Sequence, residues 1–154
     1  MRIGLIADTH GLVRPDVPAV FNGVDLILHA GDVGSGAVLS ELECVAPVEA
    51  VEGNVDSEQL RLPRTLVRQI DGTEILVTHG NETGSPTPEK LAARYHADVI
   101  VFGHTHRPLI RRVGRVLVVN PGAAGPQRFN LAPTVAILTI ENGTADVKIV
   151  NLTV

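Results

Sequence analysis

The sequence predicts an α/β fold, two sheets sandwiched between helices, and three observations predict it. The first half alternates short apolar runs with helical patterns, as a parallel sheet requires. The second half carries hairpin signals, Asp71-Gly72 and Asn142-Gly143, each flanked by apolar and β-branched segments. Strand after strand ends in polar residues, the arrangement found at the carboxyl edge of open α/β sheets, where ligands bind.

The elements follow in order. Arg2 to Ala7 is an apolar run read as the first strand, ending in Asp8-Thr9-His10-Gly11. Pro15 to Phe21 is a short helix with proline in its first turn. Val24 to Ala30 is the second strand, closing on Gly31-Asp32. Gly36 to Cys44 has helical spacing, with Val38, Leu39, Leu42 and Val45 on one face. Val48 to Glu52 is the third strand and ends in Gly53-Asn54-Val55-Asp56. Thr65 to Ile70 and Thr73 to Thr78 form a hairpin, whose second strand runs into His79-Gly80. Thr87 caps a helix that starts at Pro88 and extends to about His96. Asp98 to Phe102 is a buried strand leading into Gly103-His104-Thr105-His106. Leu109 to Arg112 pairs with Val116 to Asn120 around Val113-Gly114. Asn120-Pro121-Gly122 is a turn, and Val135 to Ile140 with Ala145 to Leu152 is the last hairpin. A chain of 154 residues without repeats or linkers reads as one domain, 1–154.

Composition narrows the function classes. Aromatic residues are 3% of the chain, so Val, Ile, Leu and Ala must build the core. A net charge of −4 argues against a nucleic-acid binder. One cysteine, Cys44, excludes a disulfide framework and a cysteine zinc site; on a helical apolar face it is expected in the core. No apolar run is long enough for a membrane span and no signal peptide is evident, so a cytoplasmic protein is expected. Edge strands in the rear hairpins make a homo-oligomer an open expectation.

Collected from the strand ends, the polar residues are Asp8, His10, Asp32, Asn54, His79, His104 and His106. Helix caps and turns do not demand this set, since Ser, Asn or Gly would serve them. In extended backbone, His104 and His106 at i and i+2 would point to one face and converge on a small volume. Four histidines, two carboxylates and an amide oxygen, without thiolates, suit two borderline divalent metals: Mn first, with Fe, Ni, Co or Zn as alternatives to it, over Ca or Mg. Two divalent cations, two aspartates and one hydroxide leave a net positive centre that attracts a phosphate anion. Such a pair can activate a hydroxide for in-line attack at phosphorus.

Asp8-Thr9-His10, Gly31-Asp32, Gly53-Asn54, His79-Gly80 and Gly103-His104-Thr105-His106 together resemble the pattern D-x-H, GD, GN, H and GHxH of the calcineurin-like metallophosphoesterase superfamily. The resemblance covers nearly the whole chain. The short length and Asn120-Pro121-Gly122 are most similar to the small bacterial and archaeal phosphodiesterase branch, which shares its fold with the eukaryotic retromer subunit. The resemblance implies a four-layer α-β-β-α sandwich of two mixed sheets flanked by helices, and a dinuclear metal site. It implies that Asp8, His10, Asp32 and His106 hold one ion. Asp32 as bridge, with Asn54, His79 and His104, would hold the other. Asp32, Asn54 and His104 are expected to be catalytic as well, in hydrolysis of small phosphodiesters. Many members carry a general-acid histidine after the GN pair; here that position is Val55, and a positioned acid is worth roughly 10²–10⁴-fold. A slow enzyme is therefore expected, or one favouring leaving groups that depart unprotonated. Asn81 stands where many members have a second histidine. The alternative is a catalytically weak or inactive metal-binding scaffold for a protein partner.

Other polar residues carry weaker signals. Asp56 either orients Asn54 or holds a supporting bond behind the ligands, or it caps a helix. His29, inside an apolar strand, reads as a satisfied core histidine, and His96 as a helix-end cation. Arg107, Arg111, Arg112 and Arg115 read as a solvated face rather than an anion-capture patch. Arg128 is a weak candidate for phosphate contact.

Overall fold

The computed structural model describes residues 1–153. Two five-stranded sheets face each other, and helices cover both outer faces. The first sheet has the order β10-β9-β1-β2-β3, built from β1 (Arg2–Ile6), β2 (Leu26–His29), β3 (Val48–Ala50), β9 (Thr134–Glu141) and β10 (Thr144–Asn151). The second has the order β4-β5-β6-β8-β7, from β4 (Thr65–Ile70), β5 (Thr73–Thr78), β6 (Val99–Val101), β7 (Leu109–Val113) and β8 (Val116–Asn120). The pairs β1–β2, β2–β3, β5–β6 and β6–β8 are parallel, and the hairpin pairs are antiparallel. Both sheets are mixed, as expected.

Three apolar clusters account for the layers. Alternate residues of the central strands, such as Ile3, Leu5, Leu28, Val77, Val101 and Val119, form the core between the sheets. The opposite face of the first sheet packs Ile6, Ile27 and Ile137 against Val17 and Phe21, next to α1 (Val17–Val20), and against Val38 and Leu42 of α2 (Gly36–Glu43). The outer face of the second sheet packs Ile100, Phe102 and Val118 on Leu91 of α3 (Pro88–Arg94). Burying both faces of each sheet explains why the central strands read as continuous apolar runs. The consequence for function is geometric: β1, β2 and β3 are neighbours in one sheet and β5 and β6 in the other, and their carboxyl ends meet at one edge.

Turn chemistry follows the residues. Asp71 and Gly72 have φ of 52° and 80°, and Asn142 and Gly143 of 51° and 76°, so both hairpins use turns with two left-handed residues. Thr87 accepts the N–H of Lys90 and caps α3, with Pro88 in the first turn.

Several details differ from expectation. The first helix is one turn long, because Pro15 and Pro18 leave few N–H groups to bond. The third helix stops at Arg94 rather than His96, where the chain turns extended at Tyr95. The β7–β8 turn is Gly114-Arg115, with Val113 still paired to Val116. Single-turn 3₁₀ segments at Glu58–Leu60 and Asn81–Thr83 lie in stretches to which the sequence reading gives no element. Cys44 is exposed rather than core, since it falls at the end of α2, where the face occupied by Val38 and Leu42 has already passed. No helix among the described residues is long and apolar enough to cross a membrane.

Candidate metal centre

All seven residues read from the strand ends meet at that shared edge. Asp8 and His10 follow β1, Asp32 follows β2, Asn54 follows β3, His79 follows β5, and His104 and His106 follow β6. The backbone that presents them is not extended. Asp8, His10, Asp32, His104 and His106 have φ of 53°, 46°, 54°, 72° and 64°. Asp and His tolerate this left-handed region better than most residues, yet each costs of order 1–3 kcal/mol. His104 and His106 thus converge through two left-handed residues, not through the same-face geometry of a strand. They also diverge in partners. His106 lies against His10 with ring centroids 5.4 Å apart and planes tilted by 47°, while His104 meets His79 edge-on at 5.1 Å.

The donor atoms crowd closely. Asp8 Oδ1 lies 3.5 Å from His106 Nε2, 3.9 Å from His79 Nε2 and 4.0 Å from His10 Nε2. Asp32 Oδ2 lies 3.3 Å from His79 Nε2 and 3.8 Å from His10 Nε2. Asn54 Oδ1 is 3.0 Å from His79 Nε2 and 3.1 Å from His104 Nδ1. Two groups have ligand atoms within 4.8 Å of one another and could hold ions: Asp8, His10 and His106; and Asp8, Asp32 and His79. Asp8 Oδ1 and His10 Nε2 are buried and accept or donate no hydrogen bond. Buried polar atoms are almost always paired. The residues present therefore fit divalent cations, which would satisfy those atoms and offset the two neighbouring carboxylates.

The titration behaviour has the same origin. Burial drives the Asp8 carboxyl up to about 7, with the Asp32 charge adding to the rise while the His79 charge opposes it. Burial also works against charge on Asp32, but the hydrogen bond and charge of His79 outweigh it and hold the carboxyl low. His79 is raised despite burial, through its bond to Asp32 and the two carboxylates. Burial pushes His106 down to about 4, helped by His10, and lowers His10 and His104 as well.

Neighbouring residues fix these donors in place. Asp56 accepts N–H groups from Val33 (3.1 Å), Gly34 (2.9 Å) and Gly53 (2.9 Å), tying the loops after β2 and β3 together. The 3₁₀ cap beyond it belongs to Ser57, so Asp56 caps no helix, and its bonds go to the backbone of both loops rather than to the Asn54 side chain. Gly31 N–H donates to His29 Nδ1, which leaves Nε2–H to donate to Thr9 Oγ1; Thr9 in turn donates to Val33 O. His29 is a neutral core histidine, pushed by burial to about 3, as the sequence suggested. His79 Nδ1 donates to Ala30 O at 2.8 Å, which turns Nε2 toward the cluster. Asn120 Nδ2 donates to Gly103 O and Thr105 Oγ1, buckling the loop that carries His104 and His106. Its part went unread, because Asn120-Pro121-Gly122 signals only a turn; Thr9, hidden inside the first motif, was missed for the same reason.

The remaining candidates fall outward. Arg107, Arg111, Arg112 and Arg115 are exposed, and Arg111 pairs with Glu89 at 2.9 Å, so they form a solvated face. His96 is exposed. Arg128 is exposed yet close enough for its charge to lower Asp8 and His106. Phe129 beside it is 73% exposed, with its ring 6.0 Å from that of His106. Val55 is 56% exposed, and its N–H donates to Asp32 Oδ1 at 3.1 Å; its side chain has no proton to give.

The comparisons with known proteins agree with this geometry. The model of the calcineurin-like phosphoesterase superfamily domain matches residues 1–143. A probable metallophosphoesterase of Methanothermobacter thermautotrophicus is 38% identical over 161 residues, covering 97% of this chain and 92% of its own. A phosphodiesterase of Methanocaldococcus jannaschii is 31% identical over 160 residues, covering 92% and 94%. Among solved structures, an archaeal phosphodiesterase superposes with a TM-score of 0.76 at 26% identity, covering 97% of this chain and all of that one. Vps29 of Entamoeba histolytica superposes at 0.83 with 23% identity over 99% of this chain and 100% of its own, a likeness of fold. Fold, strand-end motifs and sequence kinship converge: this chain belongs to the calcineurin-like phosphoesterase superfamily.

Proposed function

We propose that the protein is a dinuclear metal-dependent phosphodiesterase that hydrolyses small phosphodiesters. The observation that carries this reading is the convergence of four histidines, two aspartates and Asn54 on one edge, with Asp8 Oδ1 and His10 Nε2 buried and unpaired. Asp8, His10, Asp32 and His106 would hold one cation, and Asp32, Asn54, His79 and His104 the other. Asp32 would be shared by the two ions: its Oδ2 lies nearer than Asp8 Oδ1 both to His10 (3.8 against 4.0 Å) and to His79 (3.3 against 3.9 Å), and His79 touches Asn54 and His104. The donor set suits borderline divalent metals over calcium or magnesium; manganese is proposed first, with iron, nickel, cobalt or zinc as alternatives. When bound, two such ions supply Lewis acidity at the phosphoryl oxygens and a nucleophile at neutral pH.

The chain itself supplies position. Asp56, Thr9, His79 Nδ1 and Asn120 hold the loops at fixed spacing, so little reorganisation is needed when phosphate arrives. Asn54 and His104 are the more exposed donors and form the mouth of the site. Arg128 stands on the His106 side, where its charge favours an anion. No proton donor occupies the Val55 position, so alcohols that leave as stable anions, such as aryl oxides, are the favoured leaving groups.

The test is hydrolysis of bis(p-nitrophenyl) phosphate and p-nitrophenyl phosphate by metal-stripped protein, with divalent ions added back singly. Metal-restored turnover that prefers the diester, and that is lost in Asp32→Ala and His104→Ala, supports the reading. Two ions bound per chain without turnover of either ester would replace it with a metal-holding scaffold for a protein partner.

A further inference from the structure

A cavity of about 550 Å³ opens beside the donor cluster. Gly53 and Asn54 form one wall, so the residue whose Oδ1 touches His79 and His104 also faces this space. The far wall comes from Asn81 and Glu82 of the 3₁₀ turn after His79-Gly80, and from Tyr95 at the end of α3. Its size is that of a small-molecule site, and a phosphate at the cluster would direct one ester arm into it.

The lining has a definite charge character. Four carboxylates, Glu52, Asp56, Glu58 and Glu82, face two guanidiniums, Arg64 and Arg94, a balance of two minus four, or −2. One N–H of each guanidinium is engaged within the wall. Arg64 Nε donates to Glu52 at 3.2 Å, and Arg94 Nε donates to the Tyr95 hydroxyl at 3.2 Å with its guanidinium carbon 5.5 Å from that ring's centroid. Asp56 is spent on three backbone N–H groups. Glu82 Oε1 accepts from both Thr78 and Tyr95, which fixes the tyrosine in the wall and leaves Oε2 without a bond to either. Glu58 pairs with no cation among the described residues. What the cavity offers an entering group is therefore an excess of carboxylate acceptors over guanidinium donors, and an aromatic wall.

We propose that this cavity receives the alcohol arm of the phosphodiester and selects a hydroxyl-rich or amino-alcohol arm against an anionic one. The inference rests on the phosphodiesterase reading for where the phosphate sits. An ammonium or hydroxyl donates to the free carboxylate oxygens, and methylene groups pack on Tyr95. A second anion on the arm meets an excess of like charge, which is how a site rejects a competitor without added contacts.

Tyr95 is the only tyrosine and the chain has no tryptophan, so tyrosine emission reports this cavity. Zinc-loaded protein would be titrated with ethanolamine phosphate, glycerol phosphate and phosphoglycolate while emission is followed. In parallel, kcat/KM would be measured for the p-nitrophenyl diesters of the same three alcohols. The expected result is a saturable emission change that is tightest for ethanolamine and weakest for glycolate, about tenfold apart at low salt. The kcat/KM values would fall in the same order, and Glu52→Gln with Glu58→Gln would compress the ethanolamine-to-glycolate ratio to within about threefold. Equal handling of glycolate and ethanolamine arms, or emission unmoved by all three ligands, would overturn the proposal. The charge order in emission without turnover of any diester would uphold the cavity's selectivity and remove the phosphodiesterase reading instead.

Discussion

Gly53→Ala tests how tightly the site is built. A Cβ at this position would lie 2.0 Å from Asp32 Oδ1, 2.7 Å from its Cγ and 2.3 Å from its backbone nitrogen. Gly53 does not have a positive φ, so alanine is conformationally acceptable there and only space forbids it. Ordinary van der Waals contact begins near 3.4 Å, so the loops after β2 and β3 must part by about 1 Å or more. They cannot part freely, because Asp56 accepts from Val33, Gly34 and Gly53 at once. Overpacking of this kind costs about 1–3 kcal/mol, a fall of roughly 2–12 °C in Tm for a domain this size. Displacing Asp32 by about 1 Å should lower kcat/KM by about 10²-fold. The assay pairs thermal unfolding with metal-restored diester hydrolysis. Gly72→Ala is the control: φ there is +80° with nothing within 4 Å, so it should cost stability alone. A Gly53→Ala protein with unchanged kcat/KM and metal content would refute the reasoning.

Three further predictions follow from the same contacts. Val55→His should raise turnover of diesters with alkyl leaving groups by about 10-fold or more while changing aryl diesters little, measured as the ratio of the two rates. Asp56→Ala strands three N–H groups and should lower unfolding free energy by about 3 kcal/mol in denaturant titration, whereas Asp56→Asn should lose less. In metal-free protein, the raised Asp8 carboxyl favours the folded state at low pH, and that contribution is lost as pH rises from 3.8 to about 7. The depressed His29 acts oppositely: stability is full above 6.5 and lost as pH falls toward about 3. The gain in Tm on adding metal should therefore grow between pH 4 and 7, and Asp8→Asn should flatten that growth.

The pattern of strand ends carried most of the site. Each donor stands beside a β-branched run or a glycine, local signals that survive folding, so the seven residues were legible without knowing which strands pair. The way they converge was not. Left-handed φ at Asp8, Asp32 and His104 depends on loops clamped from elsewhere, by Asp56, Asn120 and the 121–125 segment, and nothing local in Asp-Thr-His or His-Thr-His announces it. Cys44 shows the opposite limit: spacing placed it on an apolar face, but the helix ended before that face could use it. The cavity at Tyr95 and Glu82 was invisible in sequence because its walls come from segments tens of residues apart, joined only when β5 and α3 are brought alongside the loop after β3.

The most direct test of the central claim is the number of ions the site holds. Metal-stripped protein would be titrated with Mn²⁺ by calorimetry, with bound metal counted after gel filtration. Two ions per chain are expected, falling to one or none in Asp32→Ala, since that carboxylate would be shared. One ion or none in the unaltered chain, or two retained without Asp32, would contradict that claim.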